Sequence, residues 1–272
     1  MNREPDSGEG GVRVVSELRP PTFEDAAEWY DYAAADHFWF QWRLAAILRL
    51  ANNRGVATDL PLRVLDVGCG TGVLRSQLEG ATRWTVDGAD LNLDALRAAP
   101  PGRGTLYYYD VLEEREPFVD SYDLVTLCDV LEHVSDTGAL LAATVRHLKP
   151  GGVLLVNVPA IPALPGSYDE AVGHLRRYTR ETLSRECEAL PLQVLETRFW
   201  GITMVPLLLL RKLLVRAGRR DRSVLREGFV PPGDLAHAIL RGAMRVETAL
   251  LHRPLLGSSI LLAARRTVVK SG

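Results

Sequence analysis

Val64-Leu65-Asp66-Val67-Gly68-Cys69-Gly70-Thr71-Gly72 is the stretch whose reading decides the fold. A run of apolar, β-forming residues feeds a Gly-x-Gly-x-Gly turn, and Gly72 to Glu79 then reads as the opening of a helix. Glycine lets the chain bend sharply and approach a ligand closely, because no Cβ intervenes. Amides exposed at the start of the next helix suit a carboxylate or a phosphate. The spacing departs from the Gly-x-Gly-x-x-Gly turn of nicotinamide-binding domains, whose third glycine would fall on Val73 here.

Working outward, short β-type runs alternate with helical stretches. Arg63–Val67, Arg83–Ala89, Thr105–Tyr109, Tyr122–Cys128 and Val153–Val158 read as five strands, the last apolar throughout and so buried on both faces. Helices are expected over Asn92–Ala99 and Asp136–Leu148, the latter stopped by Lys149-Pro150-Gly151-Gly152. This alternation implies an α/β, Rossmann-like, doubly wound sheet. Beyond Pro159 the rhythm changes. Arg180–Ala189 reads as a helix, Leu192–Phe199 as a sixth strand and Ser259–Arg265 as a last one. Residues 200–257 read as a helical insertion or lid, residues 21–55 as an N-terminal helical cap, and residues 1–20 as a disordered tail before a single domain over 21–272.

Acids stand at the ends of the predicted strands, where parallel sheets bind ligands. Asp90, followed by Leu91, is placed to accept from both hydroxyls of a ribose. Asp110 and Val111 suit an adenine, the carboxylate accepting from its amine and the side chain packing on its ring. Cys128-Asp129-Val130-Leu131-Glu132-His133-Val134 ends the fourth strand.

The ordered set DVGCGTG, ADLN, YDV, CDVLEHV and LKPGGVLLVNVP, spanning residues 60–160, closely resembles the class I S-adenosylmethionine-dependent methyltransferases. That resemblance implies a seven-stranded, mostly parallel sheet whose last strand is antiparallel, with S-adenosylmethionine as cofactor and S-adenosylhomocysteine as product. It implies the methionine end at Asp66, Gly68, Cys69, Gly70 and Gly72, the ribose at Asp90, the adenine at Asp110 and Val111, and Cys128 and Asp129 beside the cofactor. His37-Phe38-Trp39-Phe40 with Arg43, and the stretch Asp169–Tyr178, resemble a narrower bacterial subgroup acting on small molecules.

Each flanking residue carries a plainer alternative. His37, Trp39 and Phe40 either cover the cofactor and substrate or pack as helix aromatics. Arg43 either holds the methionine carboxylate bidentately or lies on a solvated helix face. His133 orders a loop near the cofactor. His174 is the candidate general base, with substrate contact or loop structure as alternatives. Arg177 either binds an acidic substrate group or is surface charge, and Tyr178, placed beside His174 as a catalytic candidate, either caps the pocket or packs beneath it.

Composition narrows the partners. A net charge of −2 gives no electrostatic footprint for a nucleic-acid backbone. The arginine bias, with abundant Ala and Leu, points to a GC-rich bacterial source, and secondary metabolism is the matching guess. Cys69, Cys128 and Cys187 have no paired spacing, and the N-terminus has no signal-peptide pattern, so a cytoplasmic location is expected. No metal-ligand spacing stands out, and metal independence is expected. Trp200–Val215, rich in Leu and followed by arginines, either lines an apolar pocket, rests on an anionic membrane surface, or packs as a core helix. The favoured function is methyl transfer to a small hydrophobic metabolite. The alternatives are a non-methylating enzyme on the same fold and a cofactor-sensing module.

Overall fold

The computed structural model describes residues 11–19, 37–164, 169–170, 172–216, 234–251 and 253–268. Its elements, in chain order, are β1 (Val12–Val14), α1 (Phe38–Asn53), β2 (Arg63–Val67), α2 (Val73–Ala81), β3 (Thr85–Asp90), α3 (Leu93–Ala98), β4 (Leu106–Tyr108) and β5 (Tyr122–Cys128). There follow α4 (Thr137–His147), β6 (Leu148–Pro159), α5 (Arg180–Glu188), β7 (Leu192–Trp200), α6 (Val205–Arg216), α7 (Asp234–Leu250) and β8 (Ser259–Arg266). One sheet of 8 strands results, ordered β1-β4-β3-β2-β5-β6-β8-β7. Strand β8 runs antiparallel to both β6 and β7, while the pairs from β1 to β6 are parallel.

Strand alternation sends successive side chains to opposite faces, and each face builds its own core. Leu65 and Val67 of β2 face one way, towards Leu141 and Val145 of α4 and Leu183 of α5. Val64 faces the other way, towards Ile47 and Leu50 of α1 and Leu74 and Leu78 of α2. Helix α2 also buries Arg75 and Glu79, whose polar atoms tie down the chain before β4. Arg75 donates to the carbonyls of Val86, Pro100 and Gly104, and Glu79 accepts from the amides of Val86, Arg103 and Gly104.

The eighth strand corrects the expected seven. It comes from Val12–Val14, inside the stretch expected to be a tail. Those residues pair with Leu106–Tyr108, and the amides of Val15 and Ser16 both donate to the Tyr108 carbonyl. Three residues of strand carry little local signal; the order comes from the exposed edge of β4. Residues 1–10 lie outside the described residues.

Strand β6 begins at Leu148 rather than Val153, because the Lys-Pro-Gly-Gly segment stays extended through a register shift against β5. Of the predicted N-terminal helical cap, the part over 20–36 lies outside the described residues. In the insertion, α6 and α7 are helical as expected, and residues 217–233 lie outside. Glu247 of α7, 5% exposed, accepts from the amides of Gly201, Ile202 and Thr203 and from the Thr203 hydroxyl. It thereby docks the insertion onto the end of β7, next to Trp200. On α6, Leu207, Leu209 and Leu210 are exposed, so they do not pack as a core helix would. No helix among the described residues is long and apolar enough to cross a membrane.

Candidate active site

The carboxyl ends of β2, β3 and β5 converge on the glycine turn. Gly68, Gly70 and Gly72 all take positive φ, at 70°, 52° and 70°. A Cβ on Gly68 would lie 2.5 Å from Val130 Cγ2, so the turn and the segment after β5 are packed together. The amides of Gly68 and Cys69 donate to the Ala89 carbonyl. Asp90 clamps the turn: its Oδ2 accepts from the Gly70 amide at 2.7 Å and its Oδ1 from the Asn92 amide at 2.8 Å. Burial raises the Asp90 pKa, and these amides oppose that rise. Leu91 stands exposed beside it.

Asp66 is buried at the end of β2 and accepts from the Thr126 hydroxyl at 2.7 Å. Burial pushes its pKa up to about 6 against the opposing pull of Thr126 and Arg43. Burial likewise lifts the Cys69 and Cys128 thiols well above their ordinary value, so neither is a thiolate nucleophile.

Asp129, at φ 58°, turns its carboxylate between two partners. Arg43 Nη1 donates to Oδ2 at 2.6 Å and Asn157 Nδ2 to Oδ1 at 2.6 Å. Asn157 Oδ1 in turn accepts from Trp200 Nε1 at 2.8 Å. A polar chain therefore links α1, β5, β6 and β7 beneath the site. Arg43 is buried and its Nη1 is paired with Asp129, which corrects the expectation of a solvated helix face. Burial works against the guanidinium charge, but Asp129 and its neighbours outweigh it and the pKa rises.

The aromatic motif divides its tasks. His37 caps α1, its Nδ1 accepting from the Trp39 amide, while Phe38 and Phe40 are buried. Trp39 lies over Trp200 with ring centroids 4.7 Å apart, and Arg43 sits 5.0 Å from the Phe40 ring.

Just past β4, Asp110 is buried with Val111. Its carboxylate accepts from the Leu112 amide and from Arg19 Nη1 at 3.2 Å, and its amide donates to Ser16. The segment after β1 thus covers Asp110, a feature hidden in a stretch that reads as tail.

Residues 169–170 and 172–178 lie against the segments that follow β5 and β6. The Leu175 amide donates to the Glu132 carbonyl at 2.7 Å, and the Tyr178 amide to the Pro159 carbonyl at 2.9 Å. Asp169 accepts from His174 Nδ1 at 2.9 Å and from Arg177 Nε at 2.8 Å. Burial would raise the Asp169 pKa, but those two donors outweigh it and hold it below the ordinary value. Arg177 also donates to the Ala160 carbonyl, so it is tied into the loop and is not surface charge. Tyr178 is 2% exposed within the core, its hydroxyl without a hydrogen-bond partner among the described residues. Such a ring packs beneath the pocket, which corrects its expected catalytic role.

His133 and His174 stack edge to face at 4.9 Å, and Glu132, 1% exposed, lies against them. Burial, with His174 nearby, lowers the His133 pKa to about 4, and burial raises that of Glu132. One ligand-capable atom from each of Glu132, His133 and His174 falls within 4.8 Å of the others. Sequence spacing concealed this cluster, because His174 is remote from the Glu132-His133 pair along the chain.

Three acceptor-only carboxylates (Asp66, Asp90, Asp129) around a glycine turn with positive φ fit a ligand carrying hydroxyls and an ammonium group. Comparison with known proteins agrees. A methyltransferase-domain family matches residues 15–197, two-thirds of the chain. The ubiquinone biosynthesis O-methyltransferase of Paracidovorax citrulli (strain AAC00-1) is 34% identical over 172 residues, 56% of this chain and 71% of that protein. Its namesake from Thiobacillus denitrificans (strain ATCC 25259 / T1) is 33% identical over 141 residues, 47% of this chain and 60% of that one.

Two solved structures share the fold at low identity. The [4+2]-cyclase SpnF aligns with TM-score 0.56 and 22% identity, covering 87% of this chain and 86% of that one. A chain of the complex between the Haloferax volcanii Trm112 methyltransferase activator and a methyltransferase aligns with TM-score 0.59 and 18% identity, covering 90% and 97%. The protein belongs to the class I S-adenosylmethionine-dependent methyltransferases.

Proposed function

We propose that the enzyme transfers the methyl group of S-adenosylmethionine to a hydroxyl oxygen of a small, largely apolar metabolite. When bound, the cofactor supplies an electrophilic methyl on a sulfonium. Asp66 with the turn at Gly68–Gly70 would hold its methionine end, Asp90 its ribose, Asp110 and Val111 its adenine, and Asp129 the near side of the pocket. What the chain adds is alignment of a nucleophile and exclusion of water. The packing of residues 172–178 against the segment after β5 supports the second role.

The observation that carries the acceptor side is the Asp169–His174 contact. An ionised carboxylate only accepts, so Nδ1 of His174 must donate to it, and in the neutral ring the lone pair lies on Nε2. This is the orientation a base needs to take the proton of an acceptor hydroxyl. Oxygen is favoured over nitrogen or carbon because both relatives are named as O-methyltransferases. An apolar acceptor is favoured by the half-buried Trp39 near the site and by the exposed leucines of α6.

The test is S-adenosylhomocysteine formation with a panel of hydroxylated aromatic and lipid acceptors beside matched amines. Product with hydroxyl acceptors alone supports the reading. Product with amines alone overturns the choice of oxygen.

A further inference from the structure

We infer that Glu132, His133 and His174 form a binding site for one divalent transition-metal cation at the substrate side of the pocket. Two imidazoles and a carboxylate within 4.8 Å make a three-ligand set with coordination positions left over, as in open zinc sites and in facial two-histidine, one-carboxylate sites. Nitrogen and carboxylate donors select zinc, iron, cobalt or nickel over magnesium and calcium, which take oxygen.

A second observation points independently to a missing partner. Glu132 is 1% exposed, and its Oε2 has no hydrogen-bond partner among the described residues. A buried carboxylate oxygen left unsatisfied costs free energy unless something cationic meets it. Its other oxygen stands 3.8 Å from His174 Nε2. Ligand atoms around a tetrahedral zinc with bonds of about 2.0–2.1 Å lie roughly 3.3 Å apart. Closure on an ion therefore asks this edge to shorten by about half an ångström.

The outer contacts are those a metal site requires. His174 Nδ1 meets the Asp169 carboxylate at 2.9 Å, and His133 Nδ1 meets the Gly173 carbonyl at 3.2 Å. Both partners are acceptors, so each Nδ1 is the protonated nitrogen and each Nε2 the coordinating one in the neutral ring. Arg177 Nε donates to the same Asp169 oxygen, Oδ1, and fixes it in place. The lone pair of His174 Nε2 serves either an incoming proton or a cation, so in the metal-loaded protein the ion, not the imidazole, meets the acceptor oxygen. The existence of the site does not depend on the acceptor reading; only its purpose does.

The test uses the full chain, stripped by chelator and titrated with Co²⁺ alone. One Co²⁺ per chain is expected, with visible d–d absorption, displaced by Zn²⁺. H133A, H174A and E132Q should each weaken binding at least tenfold. D169N, which touches only the outer contact, should weaken it by roughly ten- to a hundredfold. E132Q is isosteric, and circular dichroism of each variant separates loss of the site from loss of the fold. No Co²⁺ bound by the wild type, or binding unchanged in folded E132Q and H174A, would overturn the site. Methyl transfer without Co²⁺ binding removes this inference and leaves the proposed function standing. Co²⁺ binding without transfer to any hydroxyl acceptor does the reverse.

Discussion

Replacing Arg43 by Met removes one partner of the ion pair that anchors Asp129. The pair is short, 2.6 Å, with side chains 8% and 30% exposed. Removing one partner of a buried pair costs about 3–5 kcal/mol, because the other charge is stranded. Asp129 keeps the Asn157 amide at 2.6 Å and is partly open to water, so the cost falls at or just below the bottom of that range, about 2–3 kcal/mol. For a chain of this size, at about 2–4 °C per kcal/mol, the melting temperature should fall by about 5–10 °C. Replacing both charges should recover much of that loss. A double-mutant cycle over R43M and D129N, read by thermal and urea unfolding, should give a coupling of about 1.5 kcal/mol or more. An R43M protein melting within about 1 °C of wild type, or losses that simply add, would refute the reasoning.

Asp66 predicts a pH dependence. Its pKa is raised from an ordinary 3.8 to about 6, so its contribution to stability is fully present below pH 3.8 and lost as pH rises through about 6. D66N cannot ionise, and should gain on wild type between those values and then hold a constant advantage, at most about 3 kcal/mol; parallel melting curves across pH would contradict this. D90A should weaken S-adenosylhomocysteine binding by roughly thirtyfold, about 2 kcal/mol, in calorimetry on protein shown to be folded. H174A should lower turnover by about a hundredfold or more while leaving cofactor affinity within a few-fold; near-normal turnover would remove His174 from the chemistry.

The parts of the fold legible in the sequence were those with strong local causes. The glycine turn after β2 announces itself because three alternate positions take positive φ, and acids at strand ends announce themselves by their place in the alternation. Val12–Val14 did not, because a three-residue strand is held wholly by its neighbour β4. The Lys-Pro-Gly-Gly segment stops α4 as read, but it hides the start of β6 at Leu148, which comes from pairing with β5 through a register shift. Arg43 and Asp129 meet across 86 residues, and His174 comes from a distant loop to stand against His133. Such pairings depend on the sheet order and leave no mark in local spacing. Tyr178 was misplaced because a motif shows that a residue is near a site, not which way its ring turns.

The most direct measurement follows a labelled methyl group from S-adenosylmethionine into an extract of the source organism, with the products split into organic, aqueous, protein and nucleic-acid fractions. Enzyme-dependent label in the organic fraction, matched by S-adenosylhomocysteine and carried on a hydroxyl oxygen of the product, is the predicted result. Label confined to protein or nucleic acid, or none in any fraction while the cofactor is bound, would contradict methyl transfer to a small apolar acceptor.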